Sequence, residues 1–154
     1  MGGTIVCCVS DTPEGRGALE LALGLSERLQ LRLVLAHVAD GVSTKADGHG
    51  GRPSELARER AAALLDRLAD EYSVADSVET REAVGDEAAL LARIAAEEAA
   101  DVILVGARSR GRLRPSLDTS LADQLESETS VPIVIAPRRV RSTARTSATT
   151  RARR

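Results

Sequence analysis

At 154 residues the chain has room for one domain with a full core and little besides. Hydrophobic residues make up 43% of it and the charges are mixed, as in ordinary folded proteins; no run approaches the roughly 18 apolar residues of a membrane span. Seven of the 21 basic residues are arginines between Arg138 and Arg154, where there is no acid, so the preceding body is at about −9 and the tail at +7. Thr4 to Val9 (TIVCCV) is an apolar run expected to form a buried strand. A polar loop follows, and Thr12 caps a helix whose first turn holds Pro13 and Glu14. Leu19, Ala22, Leu23, Ser26 and Leu29 then fall at helical spacing, and Arg32 to Val38 is a second strand. Asp40 to Pro53, rich in glycine and polar residues, is a loop. Ser54 is a plausible cap for a second helix with Ala57, Ala61, Leu64 and Leu68 inward. Val78 to Val84 alternates with charged residues, as an edge strand should. Asp86 caps a third helix with Leu90, Leu91, Ile94 and Ala95 inward.

The stretch from Asp101 to Pro137 carries the chemistry. An uncharged run, Val102 to Val105, ends at Gly106, and a polar loop with Arg108, Arg110, Arg112 and Arg114 follows. Asp118, Thr119 and Ser120 are alternative caps for a short helix with Leu121, Ala122 and Leu125 on one side, and Ile133 to Ala136 is a last buried strand behind Pro132. Five strands alternating with four helices make a single α/β domain with a parallel sheet covered on both faces. In such a sheet a loop leaving the C-terminal end of a strand for a helix N-terminus is a common seat for anions and phosphates. Gly106 serves either as a strand-ending turn or as a place where a ligand comes close.

Other features are read as structural. Cys7 and Cys8 are adjacent on one strand, so they face opposite ways and suit neither a disulfide nor a metal site; they are expected as small core residues in a reducing, cytoplasmic compartment. His37 and His49 have no partners at ligand spacing, and no metal site is expected. The tail, 138–154, has too few apolar groups to pack and is expected to be disordered. It lacks aromatics for base stacking, so nucleic acid enters only as a contact of that basic segment.

In order along residues 3 to 137, IVCCVSDTPEGRGALELAL, LVLAHV, VGDEAALLARIAAEEAADVILVGARSRGRL and SVPIVIAP resemble the universal stress proteins of the UspA type. The resemblance implies a Rossmann-like (adenine nucleotide alpha hydrolase-like) three-layer sandwich of strand order 3-2-1-4-5, with a ligand crevice between strands one and four. It also implies a homodimer paired through strand five, here Ile133, Val134, Ile135 and Ala136. ATP-binding members carry a glycine, two residues, a glycine, nine residues, then Gly-Ser or Gly-Thr. On this chain those positions are Gly106, Ser109, Thr119 and Ser120, so two of the three glycines are replaced. The aspartate that ends strand one in those members corresponds to Ser10. A nucleotide held in this crevice would meet Cys8, Val9, Ser10 and Val38 at its base and ribose end. Val105, Gly106, Arg108, Ser109, Thr119, Ser120 and Leu121 would form the phosphate end. The function implied is a stress-response regulator binding ATP or AMP, with magnesium, weakly. The alternative is a dimeric adaptor that has lost the ligand. An enzyme is not expected, beyond at most slow ATP hydrolysis: VSDTPEG is neither a Ser-Gly-Gly loop nor a His-rich adenylylation motif.

Overall fold

The computed structural model describes residues 2–40, 53–107 and 120–137. The Gly-rich loop with His49, the arginine loop with Arg108 and Ser109, the alternative caps Asp118 and Thr119, and the tail all lie outside these residues.

Among the described residues nine elements follow one another: β1 (Thr4–Cys8), α1 (Pro13–Leu29), β2 (Arg32–Ala39), α2 (Pro53–Glu71), β3 (Glu79–Val84), α3 (Glu87–Glu97), β4 (Val102–Gly106), α4 (Leu121–Glu128) and β5 (Ile133–Ala136). The strands form one parallel sheet in the order β3-β2-β1-β4-β5. The chain therefore moves outward from β1 in one direction, then returns to β1's other side at β4. That reversal leaves a crevice between the C-terminal ends of β1 and β4.

Strand periodicity divides the core in two. Ile5, Cys7 and Val9 point to one face with Leu33, Leu35 and Leu104, beneath Leu19 and Ala22 of α1 and Leu65 and Leu68 of α2. Val6 faces the other way with Val34, Ala36 and Ile103, beneath Leu91, Ile94 and Ala95 of α3 and Leu125 of α4. Register aligns Val6 with Val34 on one neighbour and Ile103 on the other, and Ile103 with Ile133. A continuous aliphatic row thus crosses four strands. Among the described residues the buried side chains are apolar apart from Thr4, so burial supplies the main driving force.

One helix boundary differs from the sequence expectation. α2 starts at Pro53, which places Ser54 inside the first turn rather than at its cap; a proline fits there because a first-turn N–H has no intrahelical acceptor. On the same helix Ala61 and Leu68 are buried as expected and Leu64 packs half-buried against the core, with the fully buried Leu65 added to the inner face. α1 ends on Gln30 in the left-handed conformation (φ 54°), with its N–H donated to the Ser26 carbonyl.

Candidate functional site

Each element that reaches the β1/β4 crevice arrives with its own local ties. Beyond Cys8 the chain leaves the sheet through Val9, whose N–H donates to the Ala36 carbonyl at 2.8 Å. The Val9 carbonyl accepts from His37 Nδ1 at 2.7 Å; a carbonyl can only accept, so the proton is on Nδ1 and, in the neutral ring, Nε2 is an acceptor. Ser10 and Thr12 share a hydroxyl–hydroxyl bond of 2.8 Å, and Thr12 Oγ1 accepts the Gly15 N–H at 3.0 Å. Thr12 is therefore the cap of α1, as expected from the sequence. The turn is so close that a Cβ on Gly15 would lie 2.6 Å from the Ser10 backbone nitrogen. Asp11, the next residue, turns outward: it accepts from Arg16 at 3.0 Å and from Arg67 of α2 at 2.7 Å.

Within the crevice is a cavity of about 330 Å³. Of the residues expected there, Cys8, Val9, Ser10, Val105, Gly106 and Leu121 line it. Val38 does not: it is buried against α3 on the face below. Ser120, exposed at the start of α4, is not among the lining residues either. Its Oγ accepts the Asp123 N–H at 3.2 Å, while Asp123 Oδ2 takes both the Ser120 N–H (3.1 Å) and the Ser120 hydroxyl proton (2.7 Å). This is a complete capping box. Arg108, Ser109 and Thr119 lie outside the described residues.

Five lining residues were not anticipated: Thr12, Glu14, Gly15, His37 and Glu87. Glu14 and Glu87 belong to the first turns of α1 and α3, where a carboxylate meets the positive end of the helix. The available signal was positional: each lies one or two residues past a capping residue in the sequence, at the end of the sheet where ligands bind. Cys8 Sγ donates to Glu87 Oε1 at 3.7 Å, which fixes that carboxylate beside the end of β1. Cys7, on the opposite face, is wholly buried, and desolvation pushes its thiol well above the ordinary range. Neither cysteine is in a disulfide.

Gly106 has a definite structural task. A Cβ there would come within 2.4 Å of the Glu14 carbonyl oxygen, so the glycine is what lets the first turn of α1 rest on the end of β4. Among the described residues no group of three His, Cys, Asp or Glu side chains is placed to hold a metal ion, and no helix is long and apolar enough to cross a membrane.

With the sheet order and crevice in place, comparison with known proteins is decisive on one point. The model of the universal stress protein family matches residues 1–137. The chain belongs to the universal stress protein family. Solved structures from that family share its fold. One from Burkholderia pseudomallei is 25% identical, with a TM-score of 0.61, 86% of this chain and 94% of that one being covered. UspA from Lactobacillus plantarum is 16% identical, with a TM-score of 0.59 over 87% of this chain and 97% of its own. A universal stress protein solved in complex with cAMP is also 16% identical, with a TM-score of 0.62 over 86% and 95% of the two chains. No curated protein matches the chain significantly.

Proposed function

We propose that this universal stress protein is a regulatory binding module that holds an adenine nucleotide, ATP or AMP, weakly in the crevice between β1 and β4. The observation that carries the reading is the cavity itself. It lies at the point where strand order reverses, and its volume of about 330 Å³ falls in the range of small-molecule sites. Cys8, Val9, Val105 and Leu121 supply apolar surface for a base, and the hydroxyls of Ser10 and Thr12 supply polar contacts. The cAMP complex of a family member lends support by analogy. The role is regulatory rather than catalytic, in the cytoplasm, with at most slow ATP hydrolysis. Magnesium would accompany ATP as its counter-ion.

The acting unit is proposed to be a homodimer joined through β5. Among the described residues that strand has only β4 as a neighbour, and Val134 and Ile135 are 39% and 54% exposed. A second reading, an adaptor independent of nucleotide, draws on the same exposed edge and on Ser120, whose hydroxyl proton is engaged by Asp123 instead of being offered to a ligand.

Isothermal titration of ATP·Mg²⁺ and of AMP into the purified full chain tests the reading. Saturable heat at about 100 μM, equivalent to about −5.5 kcal/mol, supports it. A flat trace on a folded dimer up to millimolar ligand sinks it in favour of the adaptor.

A further inference from the structure

β2 reaches the crevice through His37. Strand alternation turns Val38 towards α3, so its neighbour His37 takes the other side, and His37 lines the cavity where Val38 does not. The ring is held by one edge. Nδ1 donates to the Val9 carbonyl at 2.7 Å, and Val9 is itself tied to β2 by its N–H bond to the Ala36 carbonyl. These bonds seat the imidazole against the end of β1 and, in the neutral ring, leave a lone pair on Nε2. The Val9 bond is the imidazole's one hydrogen bond among the described residues. No buried side-chain nitrogen or oxygen among them lacks a partner, so Nε2 is not buried; it opens on the space the ring lines, which is the crevice.

A neutral acceptor held in a fixed position selects for a donor on the ligand. From this geometry we infer that His37 Nε2 reads the base, accepting a hydrogen bond from an exocyclic amine such as the 6-amino group of adenine. This rests on the reading of the crevice as an adenine-nucleotide site, and names the side chain that sets base specificity there. The other donors of such a ligand are its ribose hydroxyls. Ser10 and Thr12, bonded to each other at 2.8 Å, carry hydroxyls that both donate and accept, which suits a sugar; the flat edge of an imidazole with its tautomer fixed suits a flat amine. A base with a carbonyl at that place sets lone pair against lone pair. One with only hydrogen there leaves Nε2 without a partner in a partly closed cleft. The structural task of the ring is separate, because holding Val9 requires Nδ1 alone.

The test titrates the full chain at pH 8 with AMP and with purine riboside 5′-monophosphate, which carries hydrogen in place of the amine. Wild type is compared with His37→Asn, whose shorter amide keeps a donor near the place of Nδ1 and has nothing at that of Nε2. Wild type is expected to bind AMP about tenfold more tightly than the analogue, the upper end of what one neutral hydrogen bond contributes. His37→Asn should bring the two within about threefold of each other by weakening AMP alone, with Tm unchanged because the Val9 bond is kept. Nitrogen NMR of the wild type, assigned against His49→Gln, gives a second readout. The His37 Nε2 resonance should move on saturation with AMP and stay in place with the analogue, while the Nδ1 proton persists throughout. Equal binding of AMP and the analogue, or a preference that survives His37→Asn, overturns the inference and leaves the adenine site standing. So does a variant that weakens both ligands alike, since His37 then serves the sugar or the fold. Silence from both nucleotides overturns both readings. Should His37→Asn fail to fold, the wild-type preference and the Nε2 shift decide the matter.

Discussion

Gly106 and Glu14 meet where β4 ends and α1 begins: a methyl group on Gly106 would lie 2.4 Å from the Glu14 carbonyl oxygen and 2.7 Å from its carbon. Both obstructing atoms are backbone, so no side-chain rotation relieves the clash. Gly106→Ala is expected to destabilise the protein by about 1–3 kcal/mol, the usual cost of overpacking. Each kcal/mol corresponds to a fall of about 2–4 °C in Tm for a chain of this size, readable by circular dichroism. An unchanged melting curve would mean that α1 does not rest on β4.

Ser120 and Asp123 close α4 at its start. Ser120→Ala removes the acceptor for the Asp123 N–H and is expected to cost about 0.5–2 kcal/mol in urea denaturation. Ser120→Asn keeps a good cap and should recover most of that loss. If alanine and asparagine variants are equally unstable, the cap is not what Ser120 contributes.

Asp11 and Glu71 tie the β1–α1 turn to α2 through Arg16. The Arg16 guanidinium, and then that of Arg67, hold the Asp11 carboxyl below its ordinary value of 3.8; Arg16 does the same for Glu71, whose ordinary value is 4.5. A carboxyl depressed in the folded state adds stability that is complete above its unfolded value and lost as pH falls through the folded one. Stability should therefore hold at neutral pH and decline as pH drops below about 4.5. Because these groups are exposed, the effect should shrink in concentrated salt. Urea midpoints for wild type and Asp11→Asn, compared on either side of that pH, provide the check; parallel slopes would sink the idea.

Ile135 stands 54% exposed on the strand at the sheet's edge. In the proposed dimer it lies in the joint, and Ile135→Lys puts a charge there. Sedimentation velocity should show a dimer for the wild type and a monomer for the variant, with the monomer's far-ultraviolet dichroism unchanged. A dimer that survives the lysine is joined elsewhere.

The fold was legible in the chain because its signals are local. Val102 to Val105 carries no charge, so burial on both faces was readable without knowing the neighbours. Thr12 and Asp86 were readable as caps because a cap bonds within three residues of itself. Inner faces were less complete: α2 buries Leu65 fully beside the half-buried Leu64 that was expected, since adjacent leucines both fit the helical period.

The site was legible only in part, because its contacts join residues far apart in sequence. Cys8 and Glu87, 79 positions apart, meet only when α3 is laid against β1. The meaning of Gly106 depends on where α1 comes to rest, and that of Asp11 on the two arginines that draw it outward. Ser120 stands at a position associated with phosphate, yet its neighbour Asp123 engages both its donors. By itself the sequence determined which segments become strands and helices, and in what order, through short-range periodicity and capping. Which of its polar groups are spent on one another, and which face the crevice, was decided by the tertiary structure, because satisfying a buried or clustered polar group depends on every element that packs around it.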